Sequence, residues 1–246
     1  MVFFEIVAAV LVVSAASLVG VPFFLGRKPS ERHFFLLVSF AAGTLLGAAF
    51  LDLLPEAMAA GGVQPALVAA LAGLLVFFIL EKVVLWHHHH GHGHAGEKPI
   101  GYLSLVGDAL HNFFDGTAIA AAFLVSPPLG VATTIAVLLH EIPQELGDFS
   151  LLIYSGFSAR QAILFNLLSA LTALVGALVF YFAAGFLQGF EALGLAFTAG
   201  MFIYIATVDL VPELHKERDS TRSLQQFSLI VAGIAAIGLV SRLLGV

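Results

Sequence analysis

Cysteine is absent from this chain of 246 residues, which excludes disulfides and thiolate metal sites. Any metal would have to be held by histidine, carboxylate, amide or backbone oxygen. Charge is scarce as well: 11% of the residues are charged, against about 25% in an ordinary soluble domain. A water-facing shell cannot be built from so little. The ten basic residues form no patch or stripe, so no nucleic-acid partner is expected. Two-residue alternation of apolar and polar positions is also missing, which argues against a membrane β-barrel. The first 26 residues carry Glu5 as their only charge, with no positive segment ahead of a long apolar run. They read as a spanning helix and not as a cleaved signal.

What is present is apolar: 60% of the residues are hydrophobic and the mean hydropathy is +1.02. Long apolar runs recur between short polar or Gly/Pro breaks, at about 2–25, 32–54, 65–86, 102–125, 129–155, 160–187, 191–212 and 224–245. The expected fold is therefore all-α: a polytopic membrane protein of eight transmembrane helices, read as one domain over 1–246. Basic residues orient it. Arg27, Lys28, Arg32, Lys82, Lys98, Arg160, Lys216, Arg218 and Arg222 fall in odd-numbered loops, and only Arg242 lies on the other side. By the positive-inside rule the odd loops are cytoplasmic and both termini extracytoplasmic. The expected membrane is a bacterial inner membrane, with an organelle membrane as the alternative.

Two of these spans contain residues that lipid should forbid. The fourth carries Asp108, His111, Asn112 and Asp115; the fifth carries His140, Glu141, Gln144, Glu145 and Asp148. A charged group at the centre of a lipid-facing helix costs about 2.5–3.5 kcal/mol even on the gentler insertion scale. Spacings of three and four residues gather these groups on one face of each helix. His111 and His140 both fall near mid-membrane, roughly 14–16 Å into their helices at about 1.5 Å per residue. The short connection through Pro127 and Pro128 makes the two helices antiparallel neighbours, so the stripes can meet at one depth. Pro143 withdraws a backbone donor and is expected to kink the fifth helix. Mixed nitrogen and oxygen ligands suit zinc, with iron, manganese or cadmium also accommodated. The alternative is a polar network that only fixes helix packing.

Weaker signals surround this centre. The third loop, at about 87–101, contains His87, His88, His89, His90, His92 and His94 among glycines, a flexible metal-binding tract. Asp52-Leu-Leu-Pro55-Glu56 ends the second span and Asp209-Leu-Val-Pro212-Glu213 ends the seventh, on opposite sides of the membrane. This shared pattern reads as an inverted repeat of the helices that flank the central pair, with an outer entrance and an inner exit; coincidence is the alternative. Asn166 and Ser169 in the sixth span are candidates to complete the site.

The segments G-D-A-L-H-N-F-F-D-G (107–116) and H-E-I-P-Q-E-L-G-D-F (140–149) resemble the fourth- and fifth-helix signatures of the ZIP (Zrt-, Irt-like protein) family of metal-ion transporters. Eight helices, outward termini and a His-rich third loop fit the same family. The resemblance implies import of zinc or related divalent metals toward the cytoplasm, as substrate and not as cofactor. It implies a binuclear centre, with His111, Asp115, His140 and Gln144 in one metal site. Asn112 and Glu141 would serve a second, with Asp115 bridging and Asp108 on the cytoplasmic path. The chain departs from many relatives in having Gln144 and Asp52 where they have His, which softens zinc selectivity.

Other readings use the same residues. His140-Glu141 opens the H-E-x-x-H pattern of zinc hydrolases, but Gln144 stands where the second His belongs and Pro143 interrupts the helix. Metal efflux or proton-coupled exchange would need the same centre as import. The expected partners are divalent ions and the lipid bilayer, with a homodimer left open.

Overall fold

The structure is a computed structural model and describes residues 2–16, 31–89, 98–186, 190–215 and 217–245. Among them there is helix and no strand, the outcome a hydrocarbon solvent imposes when every backbone N–H and C=O must be satisfied within its own segment. The helices are α1 (Val2–Ala16), α2 (Glu31–Gly47), α3 (Leu54–Gly61), α4 (Val63–His89), α5 (Lys98–Val125), α6 (Pro127–Tyr154), α7 (Ala159–Ala170), α8 (Thr172–Ala184), α9 (Phe190–Tyr204), α10 (Val211–Leu214) and α11 (Ser220–Leu244). Two π-helical turns, Ala48–Leu53 and Ile205–Leu210, connect α2 to α3 and α9 to α10.

Among the described residues, five stretches are long and apolar enough to cross a membrane: Phe35–Gly61, Val63–Leu80, Ala159–Ala184, Phe190–Val208 and Ser220–Leu244. The helices with the polar stripes, α5 and α6, are not among them. Each is 28 residues long, and the Asp, His, Glu and Gln side chains of the stripes dilute its apolar content. The third expected span runs further than the sequence suggests, to His89, and the fourth begins at Lys98. The sixth is divided at Leu171 into α7 and α8. Position 143 lies within α6, which continues as helix through it to Tyr154.

Local chemistry sets several helix ends. Ser158 caps α7 through a reciprocal pair with Gln161: its Oγ accepts from the Gln161 amide at 3.3 Å, and Gln161 Oε1 accepts from the Ser158 amide at 3.0 Å. Asp219 Oδ1 accepts from the Arg222 amide at 2.9 Å and starts α11. Gly245, at φ 77°, ends that helix in the left-handed region.

Helix packing centres on α5 and α6, which lie against each other. α5 packs along α8 and α6 along α1 and α2, while α2 pairs with α11 and α4 with α9. Glycine permits the closest approaches. A Cβ on Gly43 would overlap the carbonyl of Ile230, and one on Gly233 that of Phe40, so α2 and α11 touch backbone to backbone. Gly73 and Gly200 do the same for α4 and α9, against Phe197 and Ala70; Gly116 and Gly176 do it for α5 and α8, against Ala173 and Phe113. Hydrocarbon supplies no hydrophobic drive between helices, so this fine van der Waals contact is what holds them.

Gly200→Val should therefore be costly. Its side chain would displace the carbonyl of Ala70, and we expect a loss of about 2–3 kcal/mol from overpacking. Gly107→Ala, where an added Cβ meets nothing within 4 Å, should be neutral or stabilising by up to about 1 kcal/mol through helix propensity. Thermal unfolding of the two variants in detergent separates these outcomes.

Candidate metal centre

Local spacing on α5 and α6 decides which side chains meet. His111 and Asp115 stand one turn apart on α5, and His140 and Glu141 are adjacent on α6. The two helices bring four ligand atoms together: His111 Nε2, His140 Nε2, Asp115 Oδ2 and Glu141 Oε1, all within 4.8 Å of one another. The two imidazole nitrogens are 3.3 Å apart. Asp115 Oδ2 lies 3.1 Å from His140 Nε2 and 3.5 Å from His111 Nε2. Glu141 Oε1 lies 3.6 and 3.5 Å from the same two nitrogens. All four residues are buried.

These separations match a metal polyhedron. Zinc bonds nitrogen and oxygen at about 2.0–2.2 Å in a tetrahedron, whose ligand-to-ligand edges are then about 3.3–3.6 Å. The protonation pattern points the same way. His140 Nδ1 lies 3.0 Å from the carbonyl oxygen of Ala136, one turn back on α6. A carbonyl only accepts, so Nδ1 carries the proton and, in the neutral ring, Nε2 presents its lone pair to the cluster. The His140 lone pair thus faces the same space as the Asp115 and Glu141 oxygens, a donor set that a cation would satisfy.

Aromatic rings wall the cluster. Phe77 of α4 meets the His111 ring edge-on at 6.3 Å, and Phe202 of α9 meets the His140 ring at 5.6 Å. Low-polarity walls strengthen every electrostatic interaction inside them. The sequence gives no direct signal for these rings, since Phe77 and Phe202 look like any other apolar residue of a spanning helix.

Other expected site residues fall around this cluster. Gln144 is half-buried on the next turn of α6 after His140. Asn112 is buried and donates Nδ2 to Asp108 Oδ1 at 2.9 Å. Glu145 Oε2 accepts from Asn166 Nδ2 at 2.7 Å, which ties α6 to α7. Asp148 is half-buried one turn beyond Glu145, within electrostatic reach of it and of Asp108. Ser169 Oγ lies 3.5 Å from the carbonyl of Leu105, a link between α7 and α5. Asp52 is buried in the first π-helical turn, apart from the four-atom cluster, and accepts from Ser241 Oγ of α11 at 2.7 Å. The backbone of Asp209 occupies the second π-helical turn. Its side chain lies outside the described residues, as do the side chains of His87, His88 and His89 and all of His90, His92 and His94. Sequence reasoning missed Ser241 and Thr172, whose Oγ1 donates to the carbonyl of Ala109 at 2.6 Å and fastens α8 to α5. Small hydroxyls in apolar spans are the only signal that could have pointed to them.

Long apolar helices around a buried nitrogen–oxygen cluster that could hold a metal ion mark an integral membrane protein. Sequence similarity supplies the family. The profile described as "ZIP Zinc transporter" matches residues 4–100 and 87–241. The chain is 42% identical to zinc transporter ZIP13 of Pongo abelii over 233 residues, covering 88% of this chain and 70% of that protein. It is 37% identical to human zinc transporter ZIP13, covering 83% and 70%. Against zinc transporter SLC39A7 of Rattus norvegicus the identity is 31%, covering 96% and 71%. The chain belongs to the ZIP zinc transporter family. That membership places it with transporters and not with enzymes, and the hydrolase reading of His140-Glu141 falls away.

Gln144→His would place an imidazole one turn along α6 from His140, on the same face. We expect zinc affinity to rise about tenfold, since imidazole outbids an amide for zinc. Competition against a fluorescent zinc indicator in detergent measures it; an unchanged affinity would put position 144 outside the ligand sphere.

Proposed function

We propose that the chain carries divalent metal ions, chiefly zinc, across the membrane toward the cytoplasm through a midplane centre between α5 and α6. The observation that carries this reading is the convergence of His111, Asp115, His140 and Glu141 from two helices, at the edge lengths of a zinc tetrahedron. Asp115 and Glu141 bring negative charge that offsets the ion's desolvation, and the imidazoles bring selectivity for zinc over harder ions. In the binuclear reading Gln144 joins His111, Asp115 and His140 at one ion, and Asn112 and Glu141 serve a second, adjacent ion, with Asp115 between the two. Iron, manganese and cadmium are accommodated by the same chemistry. The relatives' names and the polar stripes support transport; the distribution of basic residues supports cytoplasmic odd loops and external termini, and inward delivery is supported by the resemblance of 107–116 and 140–149 to the ZIP signatures alone.

We read residues 1–246 as one eight-span domain built on an inverted repeat around α5 and α6. Its support is the packing pattern. The pairs α2–α11 and α9–α4 exchange with each other if the second and seventh spans, and the third and eighth, are interchanged. The two π-helical turns keep that register: Gly43 answers to Gly200, Asp52 to Asp209 and Pro55 to Pro212. An ion crossing the membrane must see the centre open to one side and then the other, which such a repeat can provide by the movement of one helix group against another. The His-rich tract at 87–94, whose first three residues end α4, then belongs to the cytoplasmic side, where it receives metal after passage.

Sealed liposomes holding purified protein and a trapped zinc indicator test the proposal. Wild-type protein should give rapid zinc uptake, and His111→Ala or His140→Ala should lower the rate by at least about 100-fold while the protein stays folded. Uptake no faster than in empty liposomes, across several pH gradients and with the other divalent metals, would end the transport reading. Deleting residues 90–94 should change the rate by no more than about tenfold and leave competence intact. A dead deletion variant would make the tract part of the pathway itself.

A further inference from the structure

The metal centre occupies one face of α5, and the opposite face lines a groove. Val106 and Phe113 stand two turns apart on that face, roughly opposite Asp108, His111 and Asp115. α7 and α8 close the groove with Phe165 and Val175. Its volume of about 550 Å³ falls within the roughly 300–1,000 Å³ of small-molecule sites. Apart from Tyr102 and Thr172, every lining side chain is apolar. Thr172 donates its hydroxyl to the carbonyl of Ala109 at 2.6 Å, so its stretch of wall offers an occupant hydrocarbon and no proton. Tyr102, Val106 and Val175 are 54%, 52% and 53% exposed, which leaves the groove accessible from outside the helix bundle.

Length and polarity select the occupant. From Tyr102 to Phe113 the groove runs roughly 16 Å along α5 at about 1.5 Å per residue, the depth of one leaflet in a hydrocarbon core about 30 Å thick. Tyr102 stands where α5 enters the membrane, the level at which tyrosine sets its ring in lipid and its hydroxyl among headgroups. Phe157 meets the Tyr102 ring edge-on at 5.0 Å and the Phe165 ring at 5.7 Å. That contact brings the start of α7 to the same end of the groove, with Arg160 exposed in its first turn. A basic residue at the cytoplasmic surface attracts anionic headgroups. We infer that the groove holds one acyl chain of an anionic phospholipid of the cytoplasmic leaflet, with the headgroup beside Arg160. The chain is laid along the back of the helix that carries His111 and Asp115. Its leaflet follows the orientation proposed above; the occupancy of the groove does not depend on transport.

Phosphatidylglycerol carrying a photoreactive diazirine on its acyl chain is the probe, in liposomes that contain the full-length protein. After illumination, mass spectrometry of the peptides should find the label mainly on 102–113 and 165–175. Val106→Trp combined with Val175→Phe fills the groove from exposed positions and should cut that labelling at least about tenfold. Leu239→Trp, on the exposed face of α11, should leave it unchanged. Arg160→Gln should lower it about fivefold, the effect of one basic residue near an anionic surface, and it serves if the groove-filling variant does not fold. The proposal is overturned by label spread evenly over the exposed helices, or by equal labelling from phosphatidylcholine with the same chain. Indifference to both the groove-filling and the Arg160 changes overturns it too. So do disulfide-linked dimers formed in high yield by Val106→Cys, which gives the chain its sole cysteine, since a second copy would then cover the groove. Zinc uptake plays no part in the readout. A labelled groove without uptake would remove the transport reading and keep the lipid site, and uptake without labelling would do the reverse.

Discussion

Hydrocarbon offers a polar side chain no partner except another protein group, and the arrangement of this molecule follows from that constraint. His140 shows it at the smallest scale. Its Nδ1 proton goes to the carbonyl of Ala136 on its own helix, which turns the Nε2 lone pair toward α5. His111, Asp115 and Glu141 complete the convergence, and α5 and α6 are held face to face because neither stripe can be turned toward lipid. The other helices then surround this pair, with Phe77 and Phe202 placed edge-on against the two imidazoles.

Around the polar centre the packing is nearly all apolar and close. Glycines set opposite one another bring α2 to α11, α4 to α9 and α5 to α8 within backbone contact. Such contacts are stiff, because adding one carbon to either side breaks them. The π-helical turns at Ala48–Leu53 and Ile205–Leu210 are placed differently. Each widens its helix just before a Pro-Glu pair, and π-turns of this kind occur disproportionately at functional positions. Rigid glycine seams beside irregular turns are consistent with helix groups that move as units.

Much of the fold was legible beforehand. Long apolar runs without two-residue alternation specify spanning helices, because a lipid solvent leaves few other structures open. The polar stripes were equally plain: His111, Asp115, His140 and Glu141 stand out because such residues are expensive in apolar segments. Less visible was the division of labour within the stripes. Spacing puts Glu141 and Gln144 on neighbouring positions of α6, but the distances single out Glu141 as the carboxylate facing both imidazoles. The break at Leu171 and the extension of α4 to His89 also had no clear signal, since helix ends depend on caps and contacts more than on hydropathy.

Sequence by itself determined that the chain is an integral membrane protein built of helices, and that any metal it holds is held without cysteine thiolate. Those conclusions depend on composition and on one-dimensional spacing, which local physics reads directly. Only the tertiary structure decided that Asn112 turns its amide to Asp108, that Asn166 reaches Glu145 across two helices, and that Ser241 holds Asp52. Each joins groups whose meeting depends on how helices rotate and cross, and the rotation of a helix about its axis is set by packing against neighbours and not by its own sequence alone.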